Sequence, residues 1–119
     1  MKSILIIDDD LSFTKALSHL LEQIGYEVSV AHSGQEGIDR YREMRPDLLI
    51  TDLVMPHKDG LQTVQELQRE FSDIKFIALS GEALDKLPQA RQLGARHTFV
   101  KPFATEELLE TIEEELVAA

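Results

Sequence analysis

The sequence predicts an α/β fold: a doubly wound, five-stranded parallel sheet with five helices on its two faces. Three observations predict it. Short apolar runs such as Ile4-Leu5-Ile6-Ile7 and Leu48-Leu49-Ile50-Thr51 carry no charge and are bounded by turn signals, as strands buried on both faces are. Between such runs lie stretches with apolar residues at helical spacing. The runs end on polar residues: Asp8-Asp9-Asp10, Asp52, Ser80-Gly81 and Lys101-Pro102. Strands alternating with helices at this spacing argue for a parallel sheet, and right-handed crossovers leave few strand orders.

The first strand, Ile4–Ile7, stops at the acidic triplet. Asp10 is placed to cap the helix that follows. Phe13, Ala16, Leu17, Leu20, Leu21 and Ile24 give that helix one wide apolar stripe, and Gly25 closes it. His19 lies beside the stripe, where a surface residue is a better reading than a phosphoryl carrier. Glu27–Ala31 alternates around Val28 and Val30, as an edge strand does. Ser33 and Glu36 have capping-box spacing for a second helix that turns Gly37, Ile38, Tyr41 and Met44 inward and ends at Pro46.

The third strand runs into Asp52, and Leu53-Val54-Met55-Pro56 and a polar turn follow. Pro56 and that turn leave Asp52 no helix to cap. Gly60 opens a third helix carrying Leu61, Val64, Leu67 and Phe71. Lys75–Leu79 is a fourth strand ending at Ser80-Gly81. Asp85 is a candidate cap for a short fourth helix, with Pro88 tolerated in its first turn, Ala90 and Leu93 inward, and Gly94 at its end. His97–Val100 is a fifth strand ending at Lys101-Pro102. Thr105 is read as the cap of a last helix with Leu108, Leu109, Ile112 and Leu116 on one face, and Glu106 and Glu107 suit its first turn.

The chain has 119 residues, the length of about one domain, so residues 1–119 are expected to form a single one. With 22 acidic and 12 basic side chains its formal charge is −10, which repels nucleic-acid phosphates and anionic lipid. There is no cysteine, hence no disulfide framework and no thiolate metal site. Met1-Lys2-Ser3 leads straight into a strand without the features of a signal peptide, and no stretch approaches a membrane span. The expectation is a cytoplasmic protein with no direct nucleic-acid or membrane partner.

In a parallel sheet all strand C-termini share one edge, where an open α/β fold keeps its ligand crevice. Asp8, Asp9, Asp52, Ser80 and Lys101 meet there, from strands one, three, four and five. Three close carboxylates do not all ionise comfortably without a cation. Oxygen-only ligands suit Mg²⁺ better than Zn²⁺, and Mg²⁺ keeps positions open for phosphate oxygens. An aspartate can attack phosphorus to give an aspartyl phosphate. Mg²⁺, the Lys101 ammonium and the Ser80 hydroxyl would then surround the transferred group. Taken singly, Lys101 is a salt-bridge partner and Ser80 a turn residue; their joint placement favours the site.

With these residues the chain resembles the receiver domain of two-component response regulators. The likeness rests on Ile4 through Asp10, on Asp47 through Pro56 with Asp59-Gly60, and on Gly94-Ala95 through Lys101-Pro102-Phe103. It covers essentially the whole chain in order. The resemblance implies a flavodoxin-like sheet of order 2-1-3-4-5. It implies Asp52 as phosphoacceptor and Asp9 as a direct Mg²⁺ ligand (Mn²⁺ would also serve). Asp8 would bind the metal through water or by hydrogen bonding, and the Val54 carbonyl directly. Lys101 would pair with Asp52 and then with the phosphoryl group, Ser80 would be the switch hydroxyl, and Lys101-Pro102 would be cis.

The implied function is a His-to-Asp phosphorelay switch, catalytic only toward its own phosphorylation and slow dephosphorylation. Its implied partners are a histidine kinase or phosphotransfer protein and an effector domain or target, with a phosphorylation-linked dimer as a further form. Two departures stand out. Many members carry Tyr or Phe three residues before the lysine, where this chain has Thr98 beside Phe99, and Pro88 interrupts the segment from Ser80 to Gly94.

Other functions fit less well. A phosphohydrolase with an aspartyl nucleophile wants a general acid two residues on, where Val54 is apolar. A module that is never phosphorylated would not need the acids, Ser80 and Lys101 together. A flavin or nucleotide binder would show a Gly-rich or Ser/Thr-rich phosphate loop, and the sequence has none.

Overall fold

A computed structural model describes residues 1–81 and 85–117. In chain order the elements are β1 (Ser3–Ile7), α1 (Leu11–Ile24), β2 (Glu27–Ala31), α2 (Gly34–Met44), β3 (Leu48–Asp52), α3 (Gly60–Glu70), β4 (Phe76–Ser80), α4 (Lys86–Gln92), β5 (His97–Val100) and α5 (Thr105–Val117). The five strands are parallel and lie in the order β2-β1-β3-β4-β5. No described helix is long and apolar enough to cross a membrane.

The uncharged runs are uncharged because both faces of the central strands are covered. Every residue of β3 and β4 is buried. Side chains alternate across the sheet. Leu5, Ile7, Leu49, Phe76 and Ala78 pack on one face with α2, α3 and α4. Ile4, Ile6, Leu48, Ile50, Ile77 and Leu79 pack on the other with α1 and α5. Each fully buried Leu or Ile contributes roughly 1.5–3 kcal/mol. The outer strands β2 and β5 are half-buried, as their mixed sequences require.

The helix ends show where local chemistry departs from the sequence reading. Asp10 caps α1, accepting from the Phe13 N–H, and Gly25 closes it at φ +116°. The α1 stripe is narrower than its apolar residues suggest: Thr14, Leu17 and Leu21 are buried, while Leu20 and Ile24 reach solvent. Ser33 accepts from the Glu36 N–H, but the Glu36 carboxylate takes the His32 N–H at 2.6 Å, so the expected box is not reciprocal. A reciprocal box occurs instead at α3, between Asp59 and Gln62.

Two other expected caps are absent. Asp85 makes no side-chain capping bond, because its backbone is already helical. Thr105 lies inside α5, and the Ala104 carbonyl accepts from the first turn.

Candidate functional site

The register brings the strand ends level. Ile7 is opposite Thr51, Asp52 opposite Leu79, and Ser80 opposite Val100. The next residues of β1 and β5, Asp8 and Lys101, therefore reach the same edge as Asp52 and Ser80. The Asp8 N–H still bonds to the Ala31 carbonyl, and the Lys101 N–H to the Ser80 carbonyl. Both side chains are thus held by the sheet ladder itself. Asp52 closes a cleft of about 500 Å³ lined also by Asp9, Asp10, Val54, Met55, Pro56, Gly81 and Lys101.

Gly60 keeps the floor of the cleft compact. A Cβ there would collide with the Asp52 carbonyl oxygen and come within 2.8 Å of Leu53 Cα. Only glycine lets α3 start this close to the end of β3.

Asp8, Asp9 and Asp52 each bring one carboxylate oxygen within 4.8 Å of the others. Asp8 is wholly buried and Asp52 is 7% exposed, whereas Asp9 reaches solvent. An octahedral ion with bonds of about 2.1 Å spans such a set after small side-chain adjustment. The donor set is hard oxygen only, which fits Mg²⁺ or Mn²⁺. The Val54 N–H donates to Asp52 Oδ1 at 3.3 Å, holding the carboxylate toward the cleft.

Burial and the neighbouring Asp8 push the Asp52 carboxyl up to about 6, against the pull of Lys101 and the Val54 N–H; Asp9 adds to the rise. This carboxylate lacks the positive charge its surroundings ask for. Lys101 supplies part of it. Its Nζ donates to Asp8 Oδ2 at 2.6 Å and lies 3.7 Å from Asp52 Oδ2. The expected pairing with Asp52 is thus present, with a shorter contact to Asp8 beside it. Burial lowers the ammonium's pKa, but the bond and charge of Asp8, then Asp52 and Asp10, outweigh this and raise it.

Ser80 Oγ is fully buried and has no hydrogen-bond partner, alone in this among the described residues. A buried hydroxyl without a partner is costly unless a ligand supplies one. The peptide bond between Lys101 and Pro102 is cis, as the resemblance implies. Thr98 accepts from Arg91 of α4 at 3.0 Å.

The structure thus brings Asp8, Asp9, Asp52, Ser80 and Lys101 together at the sheet edge, with Val54 on the cleft wall. Glu82, which by the resemblance would flank the path of a water attacking the phosphoryl group together with Val54, lies outside the described residues. One neighbour is not singled out by the sequence. The apolar stripe assigns Phe13 to the core, yet its ring centroid lies 4.6 Å from Lys101 Nζ. The available signal was its position three residues after the Asp10 cap, because helical side chains lean toward the N-terminus.

An open parallel sheet with an acidic, lysine-bridged cleft at its C-terminal edge defines a class of doubly wound α/β domains whose site lies at the strand ends. Within it, this chain belongs to the response regulator receiver domain family, whose model matches residues 4–113. It is similar to the probable transcriptional regulator ycf27 of Cyanophora paradoxa, with 39% identity over 90% of this chain and 45% of that one. It is also similar to the response regulator MprA of Mycobacterium avium, with 36% identity over 89% of this chain and 47% of that one. The chain thus spans under half the length of these curated relatives.

Among solved structures, a CheY-like receiver domain protein from Methanospirillum hungatei is 30% identical, with a TM-score of 0.91 over 98% of this chain and 94% of that one. The response regulator TrrA from Thermotoga maritima, solved in complex with Mg²⁺-BeF, is 30% identical, with a TM-score of 0.86 over 97% of this chain and 99% of that one.

Proposed function

We propose that residues 1–119 act as one receiver domain that takes a phosphoryl group onto Asp52 in a divalent-cation-dependent reaction and changes its partner binding. The observation that carries this reading is the convergence of the Asp8, Asp9 and Asp52 carboxylates with Lys101 at one sheet edge, beside a buried Ser80 hydroxyl that has no partner. The donor would be a histidine kinase or a histidine phosphotransfer protein. The output would be an effector domain or a target protein; the chain spans under half the length of relatives that include a probable transcriptional regulator. A phosphorylation-linked dimer belongs to the same reading.

An Asp52 carboxylate oxygen bonds to phosphorus as the P–N bond of a phosphohistidine breaks, and the departing imidazole takes a proton from water. Bound Mg²⁺ would supply positive charge to the phosphoryl oxygens as negative charge shifts during transfer. Asp9, Asp52 and the Val54 carbonyl would hold the ion directly, with Asp8 behind it through water or hydrogen bonding. Lys101, 3.7 Å from Asp52, turns from Asp8 toward a phosphoryl oxygen. Ser80 donates its unused proton to another. The domain is no general enzyme: it catalyses its own phosphorylation and slow hydrolysis.

The test is chemical trapping. After incubation with acetyl phosphate and Mg²⁺, borohydride reduction should convert residue 52 alone to homoserine, read by peptide mass. Homoserine at another aspartate, or none, contradicts the assignment.

A further inference from the structure

We propose that Phe13 is a positioning residue for Lys101: its ring holds the ammonium between Asp8 and Asp52, ready for the incoming phosphoryl group. This rests on the function proposed above and adds a residue to that site.

Lys101 has three N–H donors and is only partly exposed. One donor is taken by Asp8 at 2.6 Å, and Asp52 lies 3.7 Å away. Phe13 covers a further side, with its centroid 4.6 Å from Nζ, a distance at which the ring face attracts a cation. The ammonium therefore sits in a cage of two carboxylates and one aromatic ring. The ring contributes differently from the acids. A third carboxylate would bind Lys101 more tightly to the unphosphorylated protein and hinder its transfer. A ring attracts it weakly, excludes water from that side and leaves its donors free to turn toward phosphoryl oxygens.

The local sequence fixes the ring there. The Asp10 N–H donates to Asp8 Oδ1 at 3.0 Å, and Asp10 Oδ1 accepts from the Phe13 N–H at 3.0 Å. The carboxylate that binds Lys101 thus also sets the start of α1, and so the place of Phe13 in its first turn. From the other side Phe103 meets Phe13 edge-on, with centroids 6.1 Å apart at 90°. Phe99 in turn packs on Phe103 at 5.5 Å. Three rings from α1, the β5–α5 connection and β5 form one buttress.

Phe13→Leu keeps apolar bulk and removes the ring, and Phe13→Tyr keeps the ring. The first readout is the rate of phosphorylation by acetyl phosphate at saturating Mg²⁺, by intact mass, in the native and Lys101→Met backgrounds. Phe13→Leu should slow the native protein by roughly 2- to 30-fold, the range of one cation–π contact. Phe13→Tyr should retain most of the rate, and Phe13→Leu should cost nothing further once Lys101 is Met.

The second readout is the proton shift of the Lys101 ε-methylene in the unphosphorylated, metal-free protein. It should lie upfield through the ring current and return toward its free value in Phe13→Leu. An unshifted ε-methylene in the native protein overturns the proposal, as does an equal loss of rate in both backgrounds or a Phe13→Leu rate equal to the native one. A native protein that takes no phosphate at all overturns the proposed function instead, while the ε-methylene shift still decides whether the ring holds Lys101.

Discussion

Lys101 Nζ lies 2.6 Å from Asp8 Oδ2, and the Asp8 side chain has no solvent exposure. Removing one member of such a pair leaves the other charge buried. Lys101 is partly exposed, so the cost falls below that of a fully buried pair. Lys101→Met should lose about 2–4 kcal/mol of stability at neutral pH in EDTA. Mg²⁺ should return part of it, because a bound cation gives Asp8 a counter-charge and stabilises the folded state. Urea unfolding with and without Mg²⁺ measures both. A loss that Mg²⁺ does not change contradicts the shared-cleft account.

Asp52 gives a pH dependence of definite sign. Its folded pKa of about 6 lies above the ordinary 3.8, chiefly through burial and then through Asp8. The folded state therefore binds its proton more tightly than the unfolded state. The stabilisation this gives is complete below about pH 4 and is lost as pH rises through 6. Asp52→Asn has no charge to bury. In EDTA its stability advantage should grow between pH 4 and 7 and then level off. Discounting for solvent in the cleft, the gain should reach about 1–2 kcal/mol. A difference that stays constant across this range contradicts the prediction.

Ser80 should separate stability from switching. Its hydroxyl has no partner in the unphosphorylated protein, so Ser80→Ala should change stability by less than about 1 kcal/mol, or raise it. The same variant should lose most of the structural response to beryllofluoride and Mg²⁺. In the native protein that response should centre on Ser80, Gly81 and α4, because Thr98 is too small to fill space left by Ser80 and is tied to α4 through Arg91. NMR shift mapping reads it, and shifts confined to α1 and α2 contradict this route.

The lifetime of the phosphorylated state should depend on Val54, which lines the cleft. Water must attack phosphorus opposite the Asp52 oxygen. Valine offers that water no hydrogen bond, and its branched side chain crowds the approach. One orienting contact is worth on the order of 1–3 kcal/mol in a transition state, so Val54→Asn should speed dephosphorylation roughly ten- to hundredfold. A native decay as fast as the variant's removes the argument.

The fold is legible in the sequence because burial on both faces leaves β1, β3 and β4 no room for charge, so each strand ends visibly at its first polar residue. The edge cluster follows from parallel topology alone. What the sequence hides is set by distances of a few ångströms. Asp8 and Asp52 are equivalent as partners for Lys101 until the register places Asp8 nearer. The Glu36 carboxylate accepts from the His32 N–H instead of that of Ser33, a choice between adjacent donors that residue spacing does not make. Phe13 has the spacing of a core residue, and only the start of α1 beside the cleft gives its ring a cation to cover.

The most direct measurement of the central claim is intact mass after incubation with a small phosphodonor and Mg²⁺, for the native protein and for Asp52→Asn. The native protein should gain one phosphoryl group, EDTA should abolish the gain, and Asp52→Asn should gain none. Stable phosphate on Asp52→Asn at the native rate, or a native gain indifferent to EDTA, would contradict it.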